Sequence, residues 1–211
     1  MKLQIALDDL SLDAALQLAT EVHQHVDIVE IGTPLIIEAG MAPVRALRAR
    51  FPDLEILADT KIMDAGEYEA GLAFAAGADY VTVLGVTDLA TVEGCLKTAK
   101  SYGKTVVADM ICVDDLPARI AQLEGLGVRA LAVHTGVDEQ RAGRTPLDDL
   151  RIMKAHSRQS TLFVAGGITL STLPSYMALG ADVMIVGGGI RRAADPAAEA
   201  RALQARLRQP A

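Results

Sequence analysis

The segment Leu57-Ala58-Asp59-Thr60-Lys61-Ile62-Met63-Asp64-Ala65-Gly66 ends an apolar run with two acids and an amine. On a strand, alternation points Asp59 and Lys61 to one side. A carboxylate beside the amine holds it charged and oriented, and Asp64 close by adds a third charge. Asp8, Glu30, Asp109 and His134 each stand at the end of another β-branched run. Singly, a strand-end aspartate can cap the next helix, an Asp–Lys pair can be a surface ion pair, and a lone histidine is more often structural than catalytic. Jointly, the ends of five runs deliver carboxylates or imidazole to one rim. Gathering so many charges is costly unless they bind a ligand or a metal ion.

Two further runs end in glycine: Ala165-Gly166-Gly167-Ile168 and Val186-Gly187-Gly188-Gly189-Ile190. Without a Cβ, backbone amides can approach phosphate oxygens closely, so Gly166, Gly167, Gly187 and Gly188 are candidates for a phosphate cradle. Simple tight turns would give the same pattern.

These groups need a frame that gathers strand ends. The chain predicts strands at Leu3–Asp8, Ile28–Ile31, Ile56–Asp59, Tyr80–Leu84, Thr105–Met110, Ala130–His134, Leu162–Ala165 and Val183–Val186. Their nearly continuous apolar character fits strands buried on both faces. Amphipathic stretches such as Leu12–His25, Met41–Phe51, Tyr68–Ala76 and Thr91–Tyr102 lie between them. Asp13 and Asp88 offer helix N-caps, and Gly77, Gly103, Gly127 and Gly180 offer C-terminal stops. Eight units about 25 residues apart predict a (β/α)₈ TIM barrel, one catalytic domain over 1–211, with its site at the C-terminal strand ends. An open dinucleotide-binding sheet lacks its glycine fingerprint after the first strand, where Asp8-Asp9-Leu10-Ser11 stands. Gly77-Ala78-Asp79 and Gly180-Ala181-Asp182 echo each other, as two related half-barrels would or as chance among such turns would.

Composition narrows the function classes. Half the residues, 51%, are apolar, enough for a sizeable core, and the net charge of -7 offers no general attraction to nucleic acid or anionic membranes. Cys95 and Cys112 form no CxxC and read as buried or half-buried thiols in a reducing compartment. The start of the chain shows no leader pattern, and no apolar stretch could span a bilayer. The expectation is a cytoplasmic enzyme.

Asp59, Lys61 and Asp64 in Asp-x-Lys-x-x-Asp spacing, with the two glycine-ended strands, resemble the orotidine 5'-monophosphate decarboxylase superfamily. Within it the chain is most similar to the 3-hexulose-6-phosphate synthases, over almost its whole length. Leu3–Asp8, Val29–Pro34, Asp59–Gly66, Val81–Gly85, Val133–Asp138 and Val186–Ile190 carry the likeness. The resemblance implies an aldol condensation of D-ribulose 5-phosphate with formaldehyde, giving D-arabino-hex-3-ulose 6-phosphate with Mg²⁺ and an enediolate. It implies Glu30 and Asp59 as metal ligands, with Asp8, Lys61, Asp64, Asp109 and His134 as the catalytic set. His134 or Lys61 would move the C1 proton. Asp64 would reach a partner subunit's site, which implies a homodimer.

The related 3-keto-L-gulonate-6-phosphate decarboxylases offer an alternative. They commonly carry an arginine where this chain has Gly188, and Glu where it has Asp109; both departures favour the synthase. Orotidine monophosphate decarboxylase itself works without a metal and leaves Glu30 and His134 unexplained. A non-catalytic sugar-phosphate-binding barrel would need the glycines but not Glu30, Asp59, Lys61 and His134 together. The apolar segment Met110-Ile111-Cys112-Val113 is expected to wall a small formaldehyde pocket opposite His134.

Overall fold

The computed structural model describes residues 1–136, 138, 141, 143 and 145–209. Val137, quoted above within Val133–Asp138, lies outside the described residues, as do the last two positions of the expected domain. The strands are β1 Lys2–Leu7, β2 Ile28–Ile31, β3 Glu55–Ile62, β4 Tyr80–Leu84, β5 Thr105–Asp109, β6 Ala130–His134, β7 Thr161–Ala165 and β8 Val183–Val186. They pair in parallel in chain order, and β8 closes on β1. The expected (β/α)₈ TIM barrel is the observed one.

The described helices are α1 Leu12–Val22, α2 Thr33–Ala39, α3 Ala42–Arg50, α4 Gly66–Ala75, α5 Leu89–Tyr102, α6 Leu116–Leu126, α7 Leu147–His156, α8 Leu173–Ala178, α9 Gly188–Arg191 and α10 Pro196–Leu207. One local expectation is corrected, and one helix is added. Asp13 lies in the first turn of α1, while Ser11 caps it by accepting from the Ala14 amide. Helix α2 follows β2 although it buries only Leu35, too short an apolar stripe to read from sequence. Asp88 caps α5 as expected, and Gly77, Gly103, Gly127 and Gly180 all have positive φ.

Alternation explains how the barrel positions a site. Outward-facing strand residues such as Ile5, Val29, Ile56 and Val81 join the helices in the main core. Inward-facing residues form a second cluster of Ile28, Leu57, Val107, Ala130, Ala132, Phe163 and Val183. Two residues further along these strands, the inward positions turn polar: Glu30 follows Ile28, Asp59 follows Leu57, Asp109 follows Val107, and His134 follows Ala132. Parallel pairing in register lifts them to one end.

The opposite end is tied differently. Asp27, Asp79 and Asp182 stand just before β2, β4 and β8. Each accepts the first free amide of the preceding strand, Leu3, Ile56 or Leu162, at 2.8 Å. The Gly-Ala-Asp echo thus has a structural meaning: Asp79 and Asp182 are the same clamp. No helix among the described residues is long and apolar enough to cross a membrane.

Candidate active site

The C-terminal strand ends open into a cleft of about 960 Å³. Asp8, Glu30, Asp59, Lys61, Asp109 and His134 line it, and so do Gly166, Gly167, Gly187 and Gly188. Asp64 does not. It is exposed on the β3–α4 turn, where its carboxylate accepts from the Ala65 amide at 2.7 Å. The turn carries it outward, away from this chain's own cleft.

Asp59 and Lys61 do face the same space, but simple alternation is not the reason. Lys61 has φ 47°, and the pairing of β3 with β4 shifts register between Ala58 and Ile62. Left-handed backbone on a lysine is strained, and such strain concentrates at functional sites. Thr82 holds the bulge: its hydroxyl donates to Asp59 Oδ1 at 2.7 Å and accepts from the Lys61 amide at 2.8 Å. Thr33 donates to Asp59 Oδ2 at 2.8 Å and accepts from Lys61 Nζ at 3.1 Å.

Lys61 Nζ pairs with Asp59 and lies 3.6 Å from Asp109 Oδ2. That carboxylate also faces His134 Nδ1 at 2.8 Å, which leaves Nε2 as the ring nitrogen available to the cleft. Burial would raise the Asp109 carboxyl, but His134 and Lys61 outweigh it and hold it below its usual range. Burial would lower His134, but Asp109 outweighs it and raises the imidazole. Burial likewise opposes the Lys61 charge, and Asp59 and Asp109 keep it ionised.

Glu30 is different. It is 7% exposed, and burial, then Asp59 and Asp8, push its carboxyl well above the usual range. Gln4, wholly buried beneath it, donates to Glu30 Oε2 at 2.6 Å, while Gln4 Oε1 has no hydrogen-bond partner among the described residues. Burial also raises Asp8, against the pull of Arg191. Crowded, under-compensated carboxylates are what a divalent cation would relieve. Among the described residues no three His, Cys, Asp or Glu side chains form a metal cage. Mg²⁺ needs none: one or two carboxylates suffice, with substrate oxygens and water completing its shell. Glu30 and Asp59 fit that requirement.

The glycines divide into two kinds. A Cβ on Gly32 would collide with the Asp8 carboxylate, and one on Gly189 would lie 2.7 Å from the Ile168 carbonyl. Those two permit close packing within the protein. At Gly187 and Gly188 the nearest atoms would lie 3.4 Å away, so a side chain there would chiefly take up cleft space. The expected aldehyde wall is partly corrected. Ile111 and Cys112 line the cleft, but Met110 is in the core and Val113 packs against it. Cys95 is buried, whereas Cys112 is exposed rather than half-buried.

Gln4, Thr33, Thr82, Asp9, Arg191 and Arg192 also line the cleft, and none of them was among the expected site residues. Gln4 and Thr82 are single polar residues within apolar strands, the one available signal. Arg191 and Arg192 follow the last glycine run, and the sequence leaves open whether either touches the phosphate.

Residues 1–203 match the family described as Orotidine 5'-phosphate decarboxylase / HUMPS family. The chain is 45% identical over 197 residues to a 3-hexulose-6-phosphate synthase of Bacillus subtilis (strain 168), covering 93% of this chain and 94% of that one. A solved 3-hexulose-6-phosphate synthase from Salmonella typhimurium is 53% identical, with a TM-score of 0.96 and 98% of each chain covered. A 3-keto-L-gulonate-6-phosphate decarboxylase from Vibrio cholerae is 28% identical, with a TM-score of 0.87, covering 98% of this chain and 96% of that one. The chain belongs to the orotidine 5'-phosphate decarboxylase / HUMPS family.

Proposed function

We propose that this chain is an aldolase that condenses D-ribulose 5-phosphate with formaldehyde to D-arabino-hex-3-ulose 6-phosphate. The observation that carries the reading is near-full-length identity of 45–53% to 3-hexulose-6-phosphate synthases, against 28% to the decarboxylase. The Lys61–Asp109–His134 network supplies the acid–base chemistry that such a reaction needs.

Glu30 and Asp59 would hold Mg²⁺, which when bound supplies Lewis-acid relief of the negative charge that develops on the substrate's enediolate oxygens. His134 Nε2 takes or returns the proton at C1 and polarises the aldehyde, with Asp109 fixing the ring. Lys61 keeps a positive charge beside the reacting oxygens, steadied by Asp59 and Thr33. Ile111 lines the cleft, where it would narrow the space beside C1 and help to exclude water. Gly166, Gly167, Gly187 and Gly188 leave room for the phosphate against backbone amides.

The working unit we propose is a homodimer. Met63, Tyr68 and Leu72 are 53%, 70% and 47% exposed around Asp64, on the turn and helix after β3, and Ile37 on α2 is 80% exposed. Such a patch suits a second copy, and Asp64 beside it would enter that copy's cleft. The acidic chain with two unpaired cysteines fits the cytoplasm.

The reading is tested by exchange of the C1 proton of ribulose 5-phosphate into D₂O, with and without Mg²⁺. Mg²⁺-dependent exchange that stops in His134→Asn is expected. A barrel that only binds sugar phosphates would show none, and the catalytic reading would fall.

A further inference from the structure

We propose that Gln4 and Thr82 are positioning residues that aim Glu30 and Asp59 at the divalent cation, each from the strand flanking the acid it holds. The inference rests on the reading of Glu30 and Asp59 as cation ligands.

The two acids stand on adjacent strands, β2 and β3. The strands outside them, β1 and β4, carry Gln4 and Thr82. Gln4 Nε2 donates to Glu30 Oε2 at 2.6 Å, and the Thr82 hydroxyl donates to Asp59 Oδ1 at 2.7 Å. Each acid therefore receives one donor from its outer neighbour. A hydrogen bond to one oxygen fixes the plane of a carboxylate, and ligating carboxylates are held by such partners. Both donors are neutral, so they orient the acids without removing the negative charge that a cation binds.

Both positions interrupt an apolar interior. Gln4 pairs in register with Ile28 and Ile185, and Thr82 with Val107. Those three belong to the cluster that fills the barrel or pack against it, and apolar side chains at positions 4 and 82 would continue it. Gln4 is wholly buried, and its Oε1 has no hydrogen-bond partner among the described residues. An unmet buried acceptor lowers stability, so folding alone does not account for this glutamine. Its Nε2 beneath Glu30 does. Thr82 has a second task. Its hydroxyl accepts from the Lys61 amide at 2.8 Å, so the same group ties Asp59 to the bulge that carries Lys61.

The test measures Mg²⁺ binding by calorimetry, without substrate, on the full chain in wild type, Gln4→Met, Thr82→Val and Thr82→Ser. Methionine and valine nearly keep the size of the side chain and remove its polar atoms. Gln4→Met and Thr82→Val should each weaken Mg²⁺ binding about 10-fold or more. Thr82→Ser retains the hydroxyl and should recover most of the affinity. At saturating Mg²⁺, Gln4→Met should regain kcat to within about threefold. Thr82→Val should stay lower, because the Lys61 amide has lost its acceptor. Unchanged Mg²⁺ affinity in either Gln4→Met or Thr82→Val would overturn the proposal, as would equal losses in Thr82→Val and Thr82→Ser. Melting in EDTA reports whether each variant folds; if Gln4→Met does not melt cooperatively, Thr82→Val against Thr82→Ser decides. A wild type that binds no Mg²⁺ would overturn the cation reading and this proposal together. A wild type that binds Mg²⁺ but does not condense formaldehyde would overturn the reaction alone, and calorimetry would still decide the roles of Gln4 and Thr82.

Discussion

Asp79 and Glu30 are both acids of the same barrel, at opposite ends of its strands, and their surroundings differ in kind. Asp79 accepts from the Ile56 amide and pairs with Arg48 and Lys104. Burial opposes its charge, yet these partners hold its carboxyl below the usual range. Glu30 has one neutral donor, Gln4, and two acidic neighbours, and its carboxyl is raised. The N-terminal end is complete in itself. The C-terminal end is left short of positive charge by the protein, which is what the proposed Mg²⁺ would supply. In an α/β barrel this divides stability from function along the strand axis.

The comparison breaks if changes at the two ends have the same kind of effect. The largest expected effect is at the C-terminal end: His134→Asn should lower kcat about 10²-fold or more, with the melting temperature nearly unchanged. A large loss of stability with modest loss of rate would place His134 with the structural groups.

Glu30→Gln sharpens the contrast. It should weaken Mg²⁺ binding measured by calorimetry and lower Mg²⁺-dependent activity together, by less than His134→Asn does. In EDTA at pH 7 the same variant should melt above wild type. A carboxyl whose folded pKa is raised subtracts stability once the pH exceeds its ordinary value, and glutamine removes that penalty. A lower melting temperature in EDTA would contradict the reading of Glu30 as under-compensated.

Asp79→Asn should do the reverse, costing about 1–3 kcal/mol through an under-satisfied strand amide and two orphaned cations. kcat should stay within about twofold. Comparable loss of activity would mean the two ends are not separable.

The smallest effect concerns Glu124, at the end of α6. It accepts from the amides of Arg158, Gln159 and Ser160 and the hydroxyls of Ser157 and Ser160. Burial opposes its charge, but these donors bring the carboxyl down to about 2. Its stabilisation is therefore complete above the ordinary value of 4.5 and fades as the pH falls from there toward 2. Denaturant midpoints of wild type and Glu124→Gln should differ at pH 7, draw together below pH 4.5 and converge near pH 2. A constant gap would show that charge is not what Glu124 contributes.

Much of this division was legible in the sequence. Eight buried parallel strands write themselves as apolar runs, and a carboxylate or imidazole ending such a run stands out. Asp8, Glu30, Asp59, Asp109 and His134 were found for that reason. Gln4 and Thr82 escaped because their partners are 26 and 21–23 residues away and exist only once strands pair. Lys61 was placed correctly for an incomplete reason, since a bulge depends on the neighbouring strand. Asp64 was grouped by spacing with residues from which the β3–α4 turn separates it. Arg191 and Arg192 escaped because one helical turn after a glycine run folds them back, which charge alone does not announce.

The central claim is the reaction at the under-compensated end. Its most direct test gives purified enzyme with Mg²⁺ two substrates in parallel, following formaldehyde consumed with ribulose 5-phosphate and CO₂ released from 3-keto-L-gulonate 6-phosphate. Rapid formaldehyde consumption with at most slow CO₂ release is predicted. CO₂ release faster than formaldehyde consumption would contradict the aldolase assignment and put the decarboxylase in its place.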